Sequence, residues 1–582
     1  MSTATITQTT LPTLDKLGVS APQLSDASAL DIASKWLQTF EKNVSSNNVD
    51  GVLSLLTEDA WWRDLLAMTW DLRTFQGKDK IRTFLKDRLA TSKLRDFKVS
   101  FAKYECLYED LAWIRVHYTC DSAVGGCDGV IRLVPTKGVN GGVEWKAHNV
   151  FTDLQSIHDH LPATGPRRNF LPNHGKWVDM RTKEMEFLDH DPEVLIVGGG
   201  QSGLEIAARL KLLGVPSLII EKQARIGDQW RHRYAALCLH DVVWYDHMPF
   251  IPFPENWPLA DWLESYAKSM EVDYWTSATV THARQLEDGT WEVTVRRNDK
   301  DRVFKVKHLI FAIGVGGGTP NMPKIEGMDK FKGQILHSTQ HGKALDHVGK
   351  KVVVVGACTS AHDIAADYAN HGIDVTLYQR SPTYIMTTKE GTYWEGGPPT
   401  DIADMIDNSM PVLYRKMIHQ RITKDIAAAD HKLLEGLKKS GFQLTDGVDG
   451  SGFLILALLR LGGYYLDVGA SQMIIDGKIK LKSGTSIKKF TETGVINEDG
   501  SKLDADVFLF ATGYGDPRNP MRDILGPELG KKLTPIWGID EEGEIRTAWK
   551  EAGLENLWVM MEIKAKLEGI WDGKRYSLQS KA

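Results

Sequence analysis

The sequence predicts an α/β protein with two parallel-sheet units, preceded by a smaller α+β domain. Twice between residues 193 and 380, an apolar strand runs into a turn of small residues, a helix and a second strand, which is the order of a parallel βαβ unit. Ahead of these units, apolar residues at helical spacing from Ala29 to Leu56 precede short β-branched and aromatic runs between 97 and 154. Because 582 residues exceed what one hydrophobic core supports, we expect several domains.

Composition and charge favour a small-molecule partner over a nucleic acid or a membrane. The formal net charge of -6 gives no field to hold a nucleic-acid backbone, and no stretch has the roughly 20 apolar residues of a membrane span. The five cysteines include no C-x-x-C pair, which argues against a disulfide framework and a dithiol redox centre. Since the N-terminus lacks a signal-peptide pattern, we expect a cytoplasmic protein.

The N-terminal part is predicted to hold a flexible leader over residues 1–30, an α+β domain over 31–159 and a linker over 160–190. The leader is rich in Ser, Thr, Pro and Ala, and the linker in Pro and Gly. The motif Trp61-Trp62-Arg63-Asp64 lies in a segment that resembles SnoaL-like domains, whose cone can enclose a ligand. No metal cluster is predicted. Candidate lining residues, with an outward-facing position as the alternative, are His117, His148 and Asp153.

The first βαβ unit carries the pattern G-x-G-x-x-G between an apolar strand at 194–197 and a helix. Gly198 allows the tight turn, Gly200 admits a pyrophosphate against the backbone, and Gly203 lets the helix pack on the strand. The pyrophosphate is expected at the N-terminus of the helix, where N–H groups and the helix dipole favour an anion. The predicted contact residues of this turn are Gly198, Gly200, Gln201, Ser202 and Gly203.

The second strand of this unit ends in an acid, Glu221, about 20 residues beyond the glycine turn. A carboxylate at this place accepts hydrogen bonds from an adenosine ribose and excludes a 2′-phosphate, which suits FAD or NAD. The segment that follows, with Gly227 and Trp230, resembles the one that runs along the flavin in FAD-binding monooxygenases. We therefore expect a Rossmann-like FAD-binding domain formed by residues 191–345 and 485–582.

The second unit keeps only the first glycine of the pattern, Gly356, and its next strand ends in Gln379-Arg380 instead of an acid. A guanidinium at this place can bind a 2′-phosphate bidentately, so the unit is predicted to bind NADPH; a solvated surface charge is the alternative for Arg380. This Rossmann-like NADPH-binding domain is expected over 346–484, with a helical insertion between about 400 and 463 that covers it. Its predicted contact residues are Gly356, Thr359, Ser360 and Arg380.

Motifs between the units make the chain similar to class B flavin-containing monooxygenases, the family that includes the plant YUCCA enzymes, and in particular to fungal members with an N-terminal extension. Phe331-Lys-Gly333 and His337 match the start of the signature F-x-G-x-x-x-H-x-x-x-Y/F, whose last aromatic is replaced by His341. Two segments, 311–314 and 510–514, resemble the hinges between the FAD and NADP domains, and the second supplies Thr512 and Gly513 as cofactor contacts.

This resemblance implies an activity and two catalytic residues. NADPH would reduce FAD, and oxygen would add to the reduced flavin as a C4a-hydroperoxide, which attacks a soft N or S nucleophile or the carbonyl of an α-keto acid. His337 and His240 are the expected catalytic residues, because His240 aligns with the place where such enzymes keep an Asn or His facing the flavin; a packing histidine is the alternative. The expected partners are a small-molecule substrate and molecular oxygen, and a homodimer is left open.

The junction at Met561-Glu562 keeps a second function open. Family members follow the last strand with a glycine and a helix that covers the flavin ring, and this segment is missing from the sequence here. The alternative is therefore a non-catalytic or uncoupled nucleotide-binding flavoprotein that acts as an NADPH oxidase. A flavin-dependent reductase is a third reading, which the monooxygenase signature and the lack of paired cysteines disfavour.

Overall fold

The computed structural model describes residues 10–240, 247–252, 257–388 and 399–561. They form the predicted α+β domain and two α/β units, which confirms the predicted fold class. Among the described residues, none of the helices combines the length and apolar character needed to cross a membrane.

The N-terminal domain packs helices on one face of a curved sheet with strand order β2-β1-β6-β5-β4-β3. All its strand pairs are antiparallel except β1 with β6. The first helix starts where the Ser25 side chain accepts a hydrogen bond from the Ser28 N–H at 3.2 Å. The α+β architecture is as expected, and the resemblance to SnoaL-like domains stays a prediction. The elements are α1 Asp26–Ser45, α2 Val49–Ser54, β1 Leu56–Leu65, β2 Leu72–Gln76, α3 Lys78–Ser92, β3 Arg95–Tyr108, β4 Leu111–Asp121, β5 Gly126–Lys137 and β6 Val143–Leu154.

The predicted linker over 160–190 contains a helix, α4 Trp177–Glu186. Its Arg181 is buried and forms an ion pair of 2.8 Å with Asp273 of the first α/β unit. The Pro- and Gly-rich stretch before α4 is largely exposed, as a linker should be.

The first α/β unit is a parallel sheet with strand order β24-β13-β7-β8-β9, in which β24 is Leu557–Val559, next to an antiparallel sheet with order β10-β11-β12. Its central strand β7 is buried on both faces, as its continuous apolar run predicts. The elements up to the first crossing into the second unit are β7 Val194–Val197, α5 Gln201–Leu212, β8 Ser217–Ile220, α6 Asp228–Arg231, α7 Leu259–Ser269, β9 Tyr274–Trp275, β10 Ala278–Gln285, β11 Trp291–Arg297, β12 Lys300–Val306 and β13 His308–Phe311.

The second α/β unit is a parallel sheet with order β14-β23-β15-β16-β19, a parallel pair β17-β18 and an antiparallel sheet β20-β21-β22. The chain then returns to the first unit through α14 and β24. The elements are β14 Gln334–His337, β15 Lys351–Val355, α8 Thr359–Asn370, β16 Asp374–Gln379, β17 Tyr384–Thr387, α9 Thr400–Asn408, α10 Val412–Ala429, α11 His431–Lys439, α12 Gly452–Arg460, β18 Tyr464–Asp467, α13 Ala470–Ile475, β19 Lys480–Ser483, β20 Ile487–Phe490, β21 Gly494–Asn497, β22 Lys502–Asp504, β23 Val507–Phe510, α14 Arg518–Gly530 and β24 Leu557–Val559.

The expected domain boundaries at 345/346 and 484/485 do not coincide with the sheets. Strands β14 and β23 lie outside 346–484, yet both belong to the sheet of the second unit, where β23 pairs in parallel with β14 and β15. A short apolar strand gives no sign of which sheet it joins, because that depends on pairing with strands far away in the chain. The chain therefore crosses between the units at 312–333 and at 511–517.

The N-terminal domain docks on both α/β units through its second sheet face. On the apolar side, Trp61 and Trp113 pack with Tyr414 and Ile418 of α10. On the polar side, Arg63 binds Glu544 with Nε–Oε1 at 2.7 Å and Nη2–Oε2 at 2.8 Å, and its third nitrogen donates to the carbonyl oxygen of Asn408. Helix α10, which lies in the segment predicted to cover the second unit, therefore also covers the N-terminal sheet.

Candidate functional site

The glycine turn of the first unit has the geometry that its sequence pattern predicts. Gly198 has φ +108°, and a Cβ there would lie 2.4 Å from the carbonyl oxygen of Ala312 on the neighbouring strand's end. A Cβ on Gly203 would lie 2.0 Å from the carbonyl oxygen of Gly198. Both positions therefore require glycine, the first for the turn and the second for the contact between α5 and the turn.

Gly200 differs, because space lies open beside it. A Cβ there would meet only Nε2 of Gln229, at 3.5 Å, and no side chain caps the N-terminus of α5. Both polar atoms of the Gln229 amide are buried and have no partner among the described residues. Free backbone N–H groups, a space that a side chain would fill and an unpaired buried amide together fit a bound pyrophosphate group.

The other predicted contacts of the first unit surround the same turn. Glu221, 7% exposed, accepts hydrogen bonds from the N–H of Gly199 at 2.7 Å and of Gln223 at 2.8 Å. The indole N–H of Trp230 donates to Oε1 of Gln201 at 3.2 Å. Ser202 is buried in the first turn of α5, and Gly227 has φ +92° at the start of α6.

In the second unit, Gly356 has φ +139°, and a Cβ there would lie 2.5 Å from the carbonyl oxygen of Ala511. Thr359 and Ser360 form the half-buried first turn of α8. The sulfur of Cys358 accepts a hydrogen bond from the Gly463 N–H at 3.1 Å, so this thiol packs inside the unit. The predicted turn is therefore present in the second unit.

Arg380 directly follows β16 and is exposed. No ion pair joins it to any other residue in the described part of the chain. Its guanidinium therefore has all its donors available for an anion.

His337 is the last residue of β14, in the second unit, shortly after the chain crosses into it. Its Nε2 donates to the carbonyl oxygen of Gly513 at 3.1 Å, and its Nδ1 accepts from the Thr339 N–H at 3.2 Å. Burial lowers the pKa of His337, so the ring is neutral and acts as a link. Beside it, the hydroxyl of Thr512 donates to the carbonyl oxygen of Asn321 at 2.6 Å. The structure thus brings together three predicted residues, His337, Thr512 and Gly513.

His240 connects the loop after α6 to the second unit. Its Nδ1 donates to the carbonyl oxygen of Leu466 at 2.8 Å, and its Nε2 lies 2.7 Å from Oδ1 of Asp363 on α8. Burial alone would lower the pKa of His240, but the hydrogen bonds to Asp363, Cys238 and Leu466 raise it to about 10. The hydroxyl of Tyr234 donates to Oδ2 of the same carboxylate at 3.0 Å.

The sequence analysis missed Asp363, Tyr234 and Gln229. Asp363 is the one acid among the buried residues of α8, which is the signal that could have identified it. Its partners stand more than a hundred residues earlier in the chain, so their identity could not be read from spacing.

A scan of protein families matches residues 191–518 to the model described as flavin-binding monooxygenase-like. The chain belongs to this family. Its curated relatives include indole-3-pyruvate monooxygenase YUCCA1 of Oryza sativa, 30% identical over 332 residues, covering 56% of this chain and 77% of that protein. The probable indole-3-pyruvate monooxygenase YUCCA8 of Arabidopsis thaliana is 29% identical, covering 55% and 74%.

Two solved structures of similar proteins are a flavin-containing monooxygenase from Stenotrophomonas maltophilia and OTEMO in complex with FAD and NADP. The first is 17% identical with a TM-score of 0.42, covering 64% of this chain and 90% of that one. The second is 18% identical with a TM-score of 0.45, covering 63% and 80%.

Membership of the flavin-binding monooxygenase-like family confirms the predicted enzyme class, an oxidoreductase that uses flavin to transfer oxygen. Of the two predicted cofactors, the flavin is the one that the family description names. The family match also favours an enzyme over the non-catalytic alternative. The junction at Met561-Glu562, which suggested that alternative, lies at the edge of the described residues, with Glu562 outside them.

In this monooxygenase, the N-terminal domain lies outside the matched segment. His148, a predicted pocket residue, is 1% exposed, hydrogen-bonded to Thr57 at 2.9 Å and packed against the ring of Tyr414. Burial lowers its pKa to about 4, as it does for His117, which contacts Arg115. Asp153 is half-buried on β6. The part of this sheet face around His148 is thus covered by α10 of the same chain.

Proposed function

We propose that this protein uses NADPH and FAD to insert one oxygen atom into a small organic substrate, with FAD at the first glycine turn and NADPH at the second. When bound, FAD takes a hydride from NADPH and activates oxygen. The open space at Gly200, at the uncapped N-terminus of α5, is the observation that carries the proposal. The chain's own residues bind the two dinucleotides, orient them and hold the two units together.

At the first turn, the N–H groups of α5 would bind the pyrophosphate of FAD, with the Gln229 amide as a further donor. The Glu221 carboxylate, which accepts a hydrogen bond from the Gly199 N–H, would also accept hydrogen bonds from the hydroxyls of the adenosine ribose, either beside that bond or in place of it. Trp230 keeps Gln201 in place at the rim of the turn.

At the second turn, Arg380 would bind the 2′-phosphate of NADPH. Its exposure and its lack of a described ion-pair partner mean that binding breaks no existing contact of the guanidinium. A carboxylate at this place would repel the 2′-phosphate, so the residue type favours NADPH over NADH.

His337 and His240 act as positioning residues. His337 fixes the end of β14 to Gly513, and His240 fixes the loop after α6 to α8 through Asp363. The His240 contact links the two units, and a fixed relation between the sites is what hydride transfer between two bound cofactors requires. We infer that neither ring exchanges protons with the substrate.

The substrate class is a soft N or S nucleophile or an α-keto acid. The α-keto acid is favoured because the curated relatives quoted above are named for indole-3-pyruvate, a compound of that class. Oxygen transfer to its carbonyl carbon would release carbon dioxide, which makes the two substrate classes distinguishable by product.

We also infer a cytoplasmic location, which the five free cysteines support, since free thiols are typical of a reducing compartment. Cell fractionation tests the location. Whether the working form is a homodimer is tested by the mass of the purified protein in solution.

The test of the proposed function is a flavin spectrum followed by NADPH consumption with an arylpyruvate, a tertiary amine and a thioether. Bound flavin, a preference for NADPH and a stoichiometric oxygenated or decarboxylated product are expected. A protein that binds flavin but forms no product with any class, while reducing an artificial electron acceptor, would instead be the reductase.

A further inference from the structure

Three side chains of different chemistry converge beside the second dinucleotide site. The sulfur of Cys238 lies 3.5 Å from Nε2 of His240 and 3.8 Å from Oδ1 of Asp363, and the last two atoms are 2.7 Å apart. Within the described ranges, this is the group of His, Cys and acidic residues whose donor atoms lie close enough to share one ion. We propose that Cys238, His240 and Asp363 form a binding site for zinc or a similar divalent transition-metal ion.

The spacing of the donors fits a tetrahedral ion. Zinc binds sulfur at about 2.3 Å and nitrogen or oxygen at about 2.0–2.1 Å, so a sulfur and a nitrogen on one tetrahedral zinc are about 3.5 Å apart. The Cys238 sulfur already has this separation from His240 and nearly this separation from Asp363. Only the His240–Asp363 distance has to widen, by roughly 0.6 Å.

The groups behind the donors orient them as in metal sites. The Nδ1–H of His240 donates to the Leu466 carbonyl at 2.8 Å, which turns Nε2 toward the cluster. Tyr234 donates to Oδ2 of Asp363 at 3.0 Å and leaves Oδ1 facing the sulfur and the ring. A backbone carbonyl behind a ligating histidine and a hydrogen bond to a ligating carboxylate are the usual outer contacts of protein-bound metals.

Burial and charge suit a divalent ion with one free position. His240 and Asp363 are buried, whereas Cys238 is exposed, so an ion can enter from the cysteine side and keep a water ligand there. Zinc binds a thiolate and a neutral imidazole, and the thiolate and the Asp363 carboxylate would neutralise the ion. In the absence of metal, the His240 ring and the Asp363 carboxylate are hydrogen-bonded to each other.

The three donor side chains come from both α/β units, so a bound ion would connect the units. Cys238 and His240 belong to the loop after α6, and Asp363 belongs to α8. A bound ion would replace a hydrogen bond between the units by coordinate bonds. This inference does not depend on the substrate of the enzyme, and its test needs no turnover.

The test is titration of the full-length, flavin-loaded protein with Co(II) after treatment with a chelator. We expect one equivalent to bind with the visible bands of a tetrahedral cobalt–thiolate centre, at wavelengths beyond the flavin absorption. Zn(II) should displace the cobalt and abolish the bands, and binding at neutral pH should release protons. Absence of a one-equivalent binding phase would overturn the proposal.

Two cysteine variants complete the test. Cys238→Ser removes the sulfur ligand but keeps the His240–Asp363 pair, so the thiolate bands should vanish and affinity should fall by at least about tenfold, the smallest loss usual even for outer contacts. Cys106→Ser removes an exposed thiol of the N-terminal domain and should change neither. Unchanged bands in Cys238→Ser, or their loss in Cys106→Ser, would place the metal elsewhere and contradict the proposal.

Discussion

Gly200 and Gly203 stand in the same turn, but they are surrounded differently. A side chain at Gly203 would overlap the carbonyl oxygen of Gly198, whereas one at Gly200 would enter open space beside Gln229. Substitution of Gly203 should therefore damage the fold, and substitution of Gly200 should damage only ligand binding. This difference makes Gly200 the better position for testing the flavin site.

We predict that Gly200→Val folds normally and loses FAD, because the valine methyls occupy the place of the pyrophosphate. Flavin content per protein and the far-ultraviolet circular dichroism spectrum measure the two effects. Gly142→Val is a matched control, since a Cβ at Gly142 would meet nothing within 4 Å and the residue lies in another domain. Normal flavin content in Gly200→Val would refute the assignment.

We predict that Arg380→Ala weakens NADPH binding and leaves NADH use nearly unchanged. The lost contact is a charged hydrogen bond to the 2′-phosphate, worth about 1.5–3 kcal/mol, which is roughly a ten- to hundredfold loss of affinity. Steady-state kinetics with both coenzymes measure it, with Arg284→Ala, an exposed arginine on β10, as the control. Equal losses for both coenzymes would show that Arg380 does not bind the phosphate.

Single residues also show where prediction from sequence stops. The glycines, Glu221 and Arg380 could be assigned because their roles follow from positions within one βαβ unit. The sequence predicts a role for His240. It does not predict the contact of His240 with Asp363, since that contact joins residues 123 positions apart. Nor does spacing reveal that His337 uses both ring nitrogens within the protein.

At the scale of elements, the loop before β24 contacts the N-terminal sheet through several charged side chains, of which the Glu544 carboxylate is the most buried. Burial would raise the pKa of Glu544, but the charge and hydrogen bonds of Arg63, helped by Lys550 and Thr74, lower it to about 2. A carboxyl with a lowered pKa in the folded state stabilises the fold fully above its ordinary pKa of 4.5. This stabilisation is lost as the pH falls from about 5 toward 2.

We predict that Glu544→Gln destabilises the protein at pH 7 by about 3–5 kcal/mol, the usual cost of leaving one member of a buried ion pair alone. The difference from the unchanged protein should shrink as the pH falls below 4.5, because protonation removes the same charge. Denaturant unfolding at several pH values measures this. Glu528→Gln, in an exposed pair with Lys531, should shift stability by at most about 1 kcal/mol. A destabilisation that does not depend on pH would contradict the role of the charge.

The elements themselves were largely predictable, and their partners were not. Apolar runs bounded by glycine gave β7 and β15, and amphipathic spacing gave the helices between 400 and 463. The expected boundaries place β14 and β23 with the first unit, whereas both strands pair in the sheet of the second unit, because four-residue apolar strands carry no information about their neighbours. The contact of α10 with the N-terminal sheet is likewise a long-range feature.

At the scale of the whole molecule, the N-terminal domain covers surface that the rest of the chain could not expose without cost. Tyr414 and Ile418 are buried beneath it, and the Glu544 carboxylate has its guanidinium partner there. Removing residues 1–159 would leave apolar side chains in water and a buried charge without its partner.

We predict that a chain of residues 160–582 melts at a lower temperature than the full protein and aggregates on purification. Calorimetry and light scattering measure these effects, and the full protein should unfold in one transition that includes both parts. A truncated chain that stays monomeric with an unchanged Tm would show that the contact between the domains contributes little. An added dye for exposed apolar surface gives a second readout.

The two crossings between the α/β units lie side by side, with Pro320 bridged to Tyr514 and the Asn321 N–H donating to the Gly513 carbonyl. Two rigid bodies joined by two adjacent segments can rotate most easily about the line through those segments. For the two α/β units, this line runs through the two crossings. Arg63 joins Asn408, on the helical insertion of one body, to Glu544 on the other. Such a rotation changes the distance between any two points off the axis. The Arg63 guanidinium, which binds both bodies, therefore restrains the rotation. A domain that contributes nothing to either glycine turn therefore restrains this rotation, together with the His240–Asp363 contact between the units.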